Sequence, residues 1–154
     1  MKKNTGLIIL GAALTLLFTG CAKEQPAADQ HAGHTVAPQA YKDGTYTARS
    51  SADERGAIGE ITITVQQGKI TQAEFKGIQK DGKIKDSEYG KTNGKIENQE
   101  FYNKAQQAVK GTATYAPKLV AVQDLNKVDA VAGATVSYKQ FLEAGQKALA
   151  QAPK

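Results

Sequence analysis

Apolar and polar side chains alternate along the first part of the globular region. Ile61, Ile63 and Val65 are interleaved with Glu60, Thr62, Thr64 and Gln66. That two-residue period predicts a strand with one buried face. Gln67-Gly68-Lys69 reads as a hairpin turn, and Ile70 to Lys76 as the returning strand, with Ala73 and Phe75 on one face. Upstream, the Asp43-Gly44 turn opens a shorter alternating stretch, Lys42 to Ala48. Together these segments predict a small antiparallel sheet.

The period then changes. Ile78 to Lys95 is rich in Gly and Lys, poor in apolar residues, and reads as a mobile loop. From Asn98 onward, Phe101, Ala105, Ala108 and Val109 fall on one helical face, and Gly111 is placed to end that helix. Pro117 is suited to open a short helix carrying Leu119 and Val122. Tyr138, Phe141, Leu142, Gly145, Ala148 and Leu149 recur at helical spacing in a closing helix. Ser137 and Gln140 have the spacing of a capping box for it. Strands first and helices later predict an α+β fold, a small antiparallel sheet with helices packed on one face.

Composition divides the chain further. Lys2 and Lys3 precede an apolar run from Leu7 to Phe18, too short for a comfortable membrane span and typical of a signal segment. Leu17-Phe-Thr-Gly-Cys21 follows. Ala22 to about Ala40, rich in Ala, Gln and Pro, reads as a flexible tether. The expected organisation is therefore a signal peptide over 1–20, an anchor and tether over 21–40, and one domain over 41–152.

Cys21 is the single cysteine, so no internal disulfide and no cysteine-held iron–sulfur or c-type haem centre can form. The net charge is +5, but bases and acids are interleaved, which argues against a nucleic-acid surface. The two histidines, His31 and His34, both lie in the tether. A histidine-activated nucleophile is therefore absent from the domain. With Asp29 the pair reads as solvated tether rather than a metal site, since no further ligand is near.

The chemistry-bearing stretch is Asp129 to Ser137, Asp-Ala-Val-Ala-Gly-Ala-Thr-Val-Ser. Thr135 sits beside two small residues, Gly133 and Ala134, in what reads as the last residues before a helix. A helix N-terminus offers unpaired N–H groups and the positive end of the dipole, which stabilise a phosphate. Glycine and alanine leave the hydroxyl accessible to another enzyme.

The pattern Asp-x-x-(small)-Gly-Ala-Thr resembles the flavinylation motif of FMN-binding domains. Ala132 departs from it, standing where the family usually has Ser or Thr. Asp43-Gly-Thr-Tyr46, Gly59 to Val65 and Gly68-Lys-Ile-Thr71 extend the likeness over most of Tyr41 to Gln151. The resemblance implies FMN joined to Thr135 as a phosphoester by a flavin transferase, with Asp129, Gly133 and Ala134 as the recognition string. Asp129 would orient the loop or help hold a metal during the transfer. Family members include flavin-bearing subunits of sodium-pumping membrane redox complexes and small extracytoplasmic lipoproteins. Cys21 likewise resembles the lipidated cysteine of a bacterial lipobox, with Phe18 where Leu is usual. An acylated Cys21 would hold the protein in membrane lipid on the outer face of the cell membrane.

The implied role is an electron carrier fed by a membrane redox donor, rather than an enzyme turning over a substrate by itself. A flavin ring needs an apolar or aromatic surface; Tyr46, Tyr89, Tyr102, Tyr115 and Tyr138 are candidates, with Tyr138 preferred for its nearness to Thr135. Lys or Arg beside the ring would stabilise the reduced anion. The competing expectation is a solute-binding or structural surface lipoprotein without flavin.

Overall fold

The computed structural model describes residues 40–153. The segment expected to be a signal peptide, Cys21, His31 and His34 lie outside them. The sheet has three antiparallel strands in the order β1-β2-β3, namely β1 Gly44–Arg49, β2 Ile58–Gln66 and β3 Lys69–Ile78. Tyr46 stands opposite Ile63, and Ile61 opposite Phe75. Helices α1 Gln99–Thr112, α2 Tyr115–Val122 and α3 Thr135–Leu149 follow, with a short 3-10 turn at Leu125–Lys127. The α+β expectation holds. Among the described residues no helix is long and apolar enough to cross a membrane.

Alternation places the core. Ile61, Ile63, Val65, Ile70 and Phe75 face α2 and α3, each 8 % exposed or less. The opposite face is polar: Thr47 and Thr62 hydroxyls meet at 2.9 Å, and Glu60 accepts from Arg49 at 2.6 Å. An aromatic cluster cements the helices to the sheet. Phe141 stacks on Tyr115 at 5.3 Å and meets Phe75 edge-on at 5.3 Å.

Several expected boundaries move. Helix α2 starts at Tyr115, two residues before Pro117, so the proline sits in the first turn, where its missing N–H costs nothing. Gly111 lies within the last turn of α1, which runs on to Thr112. Its lack of a side chain serves a close contact, described below. The stretch after β3 is tied down rather than open. Gln106 donates to the carbonyls of Asp86 (3.0 Å) and Tyr89 (2.8 Å), and the Tyr102 hydroxyl to that of Ser87 (3.1 Å).

Candidate functional site

The segment Val128 to Ala134 is a tight loop held from beneath. Val128 is buried, 1 % exposed. Ala134 N–H closes a turn on Val131 C=O at 3.0 Å, and Gly133 takes φ 81°, a region that disfavours other residues. Tyr115, fully buried, bridges the loop. Its hydroxyl accepts from Val131 N–H and donates to Ala134 C=O, both at 3.2 Å. Both ends of the Val131–Ala134 turn thus hang on one oxygen in the core.

This turn starts α3 earlier than the capping-box spacing suggests. Ala134 is the N-cap, and Thr135 is the first helical residue rather than part of a preceding loop. The first intrahelical bond runs from Tyr138 N–H to Ala134 C=O at 2.9 Å. The N–H groups of Thr135, Val136 and Ser137 therefore have no partner within the helix. Ser137 and Gln140 form no capping box. Gln140, 5 % exposed, instead spans to Ala57 C=O at 2.8 Å, and its Oε1 is buried without a partner.

Thr135, Val136 and Ser137 open onto a cleft of about 770 Å³. One wall is α1, whose Phe101, Lys104, Ala105, Ala108, Val109 and Thr112 lie along one helical face. The other wall is the Ala52–Arg55 loop with Gly77, Lys85 and Tyr89. Two large apolar side chains at the cleft stay exposed, Phe101 (43 %) and Val136 (54 %). A second hollow of about 450 Å³ adjoins it and shares Arg55, Lys85, Tyr89 and Phe101.

The Ala52–Arg55 wall is braced at both ends. Asp53 Oδ1 accepts from Arg55 N–H and Ala57 N–H, each at 2.9 Å. Glu143 of α3 accepts from Ser51 N–H (2.9 Å) and Ser51 Oγ (2.6 Å). The Lys147 ammonium at 2.8 Å, with Ser51, holds the Glu143 carboxyl down at about 2. Asp53 Oδ2 faces the Lys85 ammonium at 3.8 Å, with both side chains mostly buried. Burial pushes the Lys85 pKa down, Asp53 opposes this, and Arg55 adds to it.

The expected site residues separate. Thr135, Ala134 and Gly133 line the cleft, with Thr135 exposed at its edge. Asp129 is exposed and does not line the cleft. Tyr138 turns to the core side of α3: its hydroxyl donates to Val128 C=O at 2.8 Å, and its ring packs on Tyr115 at 5.6 Å. Of the five tyrosines, Tyr89 alone lines the cleft. Phe101 and the small residues of α1 read in the sequence only as one face of a helix. Their signal is the stripe's composition, alanine-rich and too slight to fill a core, with only Ala105 and Gly111 buried. Among the described residues no group of carboxylates, histidines and cysteines could hold a metal.

The family model of the FMN-binding domain matches residues 56–150, more than half the chain and the whole of this cleft's framework apart from its Ala52–Arg55 loop. The chain belongs to the FMN-binding domain family. It is a flavin-binding protein, and FMN is its cofactor. Among solved structures, the CPE2226 protein of Clostridium perfringens is similar at 28 % identity, with a TM-score of 0.55 over 73 % of this chain and 88 % of that one. A protein from Clostridium thermocellum is 29 % identical over 73 % of this chain and 93 % of its own, with a TM-score of 0.43. No curated protein matches. The site fits the cofactor of an FMN-binding domain: clefts that hold such ligands span roughly 300–1,000 Å³ and are mostly apolar with a few polar groups. Here these are the unpaired N–H groups of α3, the Thr135 and Ser137 hydroxyls and Lys85.

Proposed function

We propose that the protein is a membrane-anchored extracytoplasmic electron carrier whose FMN is esterified to Thr135. The observation that carries this reading is the placing of Thr135. Its side chain is exposed at the rim of the cleft, on the first residue of a helix whose first N–H groups are unpaired. A phosphate joined there is received by backbone N–H groups and the helix dipole. The ring then has the α1 wall and Tyr89 to lie against.

In the transfer, a flavin transferase presents FMN in activated form. With FMN presented as a phosphoanhydride, Thr135 Oγ attacks the FMN phosphorus, the anhydride P–O bond breaks and the displaced phosphate leaves; the hydroxyl proton is released, so the chain gains one FMN less one water. Asp129, exposed two residues before the turn, is available for the transferase to grip. A covalent bond suits a carrier outside the cell, where a dissociable ligand would be lost by dilution. The bound flavin accepts and donates one or two electrons; the protein contributes position and electrostatics. Acylated Cys21 keeps the carrier beside a membrane redox donor.

Co-expression with a flavin transferase tests this. The tryptic peptide Val128 to Lys139 gains the mass of one FMN less one water, and the denatured band fluoresces. Thr135→Ala removes both signals and leaves the fold intact. A colourless chain under loading conditions overturns the reading.

A further inference from the structure

The cleft is lined by three cations, and they differ in kind. Arg55 is exposed, and Lys104 is 72 % exposed and paired with Glu100 at 2.6 Å. Lys85 is withdrawn from solvent, with its side chain 13 % exposed. Lysine is seldom buried without a reason, because its ammonium loses hydration.

Lys85 is also held in place along its whole length. Its N–H donates to Gly77 C=O at 2.8 Å. Its stem crosses Gly77 so closely that a Cβ there would stand 3.0 Å from Lys85 Cδ. The ammonium lies 5.4 Å from the centre of the Tyr89 ring. The Asp53 carboxylate steadies it from 3.8 Å, beyond hydrogen-bond reach, so the ammonium's donors are not committed to that partner. Asp53 is itself fixed by the Arg55 and Ala57 N–H groups. The result is an oriented positive charge with free donors at the junction of the two hollows.

We infer that Lys85 sets the reduction potential of the flavin by stabilising the negative charge that reduction places on the ring. This rests on the covalent FMN reading above. Two-electron reduction adds two electrons and one proton near neutral pH, leaving one net negative charge on the ring. A partly desolvated ammonium is screened far less than a solvated one, so Lys85 outweighs Arg55 and Lys104. The oxidised ring carries no such charge, so the interaction favours the reduced form.

The test compares loaded wild type with Lys85→Met, Lys85→Gln, Lys85→Arg and Lys118→Met, the last an equal charge loss at an exposed position of α2. Potentials are measured by dithionite titration against reference dyes. Fluorescence of the denatured band and thermal midpoints are recorded alongside. Lys85→Met and Lys85→Gln shift the equilibrium towards oxidised flavin at least tenfold, about 30 mV for a two-electron couple. Lys85→Arg retains most of the wild-type potential, and Lys118→Met matches wild type. Equal potentials in all five, with or without a lower thermal midpoint for the Lys85 variants, would reduce the Lys85–Asp53 pair to a loop staple and overturn the inference. Failure of both neutral variants to load, while Lys85→Arg loads, would also overturn it and place the cation in attachment. A wild type without flavin on Thr135 removes the functional reading itself, an outcome visible before any potential is measured.

Discussion

Gly111 and Ala134 approach so closely that a Cβ on Gly111 would stand 2.8 Å from Ala134 Cβ. Ala134 is 1 % exposed and immediately precedes Thr135, so it has nowhere to retreat without moving the helix start. Gly111→Ala would gain about 1 kcal/mol of helix propensity. The overpacking costs roughly 1–3 kcal/mol. The expected outcome is a lower thermal midpoint together with less flavin attached per chain. Ala134→Gly in the same chain removes the shortest contact and leaves Val131 Cγ1 at 3.1 Å, so it restores part of the stability, which a double-mutant cycle reads directly.

Tyr115 supports the same turn from the core. Tyr115→Phe preserves the stacking on Phe141 but deletes the bridge between Val131 N–H and Ala134 C=O. Ala134 C=O keeps the Tyr138 N–H, whereas Val131 N–H loses its acceptor. The expected loss is about 1–2 kcal/mol, the cost of leaving a part-buried donor unpaired. Chemical denaturation measures it. Hydrogen exchange at Val131 should accelerate while exchange in β2 follows only the global stability.

Much of this was legible in the sequence, for identifiable reasons. Ile61, Ile63 and Val65 alternate without interruption, so strand β2 and its buried face follow from the period alone. Thr135 stood out because small residues before a helical period mark an accessible hydroxyl. The start of α3 was misplaced because Ser137 and Gln140 mimic a capping box. Gly133's left-handed turn and the Tyr115 bridge, both tertiary facts, move the N-cap from Ser137 to Ala134 and begin the helix three residues sooner. Tyr138 is close to Thr135 along the chain and only about 60° from it around the helix, but its hydroxyl is tied to Val128 C=O and its ring packs on Tyr115, contacts the sequence does not show. Phe101 and its alanines form a genuine apolar stripe, yet periodicity cannot say whether a stripe faces a core or a cofactor. Lys85 was invisible because its burial depends on Asp53, thirty-two residues earlier, and on the bare floor at Gly77.

Phe101 separates cofactor contact from core packing. It is 43 % exposed, so Phe101→Ala should change the stability of the unloaded chain by no more than about 0.5 kcal/mol. In the loaded protein the same change opens the α1 wall to water. Quenching of flavin fluorescence by iodide should then increase relative to wild type. An unchanged quenching constant would place the ring against another wall of the cleft.

Glu143 makes stability depend on acid pH through the wall that faces the cofactor. Its carboxyl pKa falls from 4.5 to about 2, first through Lys147 and then through the hydroxyl and N–H of Ser51. A carboxyl depressed in the folded state contributes stability that is fully present above its unfolded value. That contribution is lost as pH falls from about 4.5 towards about 2. With the side chain 37 % exposed, solvent screening limits it to about 1 kcal/mol. Urea midpoints should therefore decline across this window in wild type. Glu143→Gln keeps an acceptor for Ser51 but carries no charge, so its midpoint should start lower at pH 6 and converge with wild type near pH 2. Parallel curves would mean that the Glu143 contact, though short, exerts no net pull on the fold.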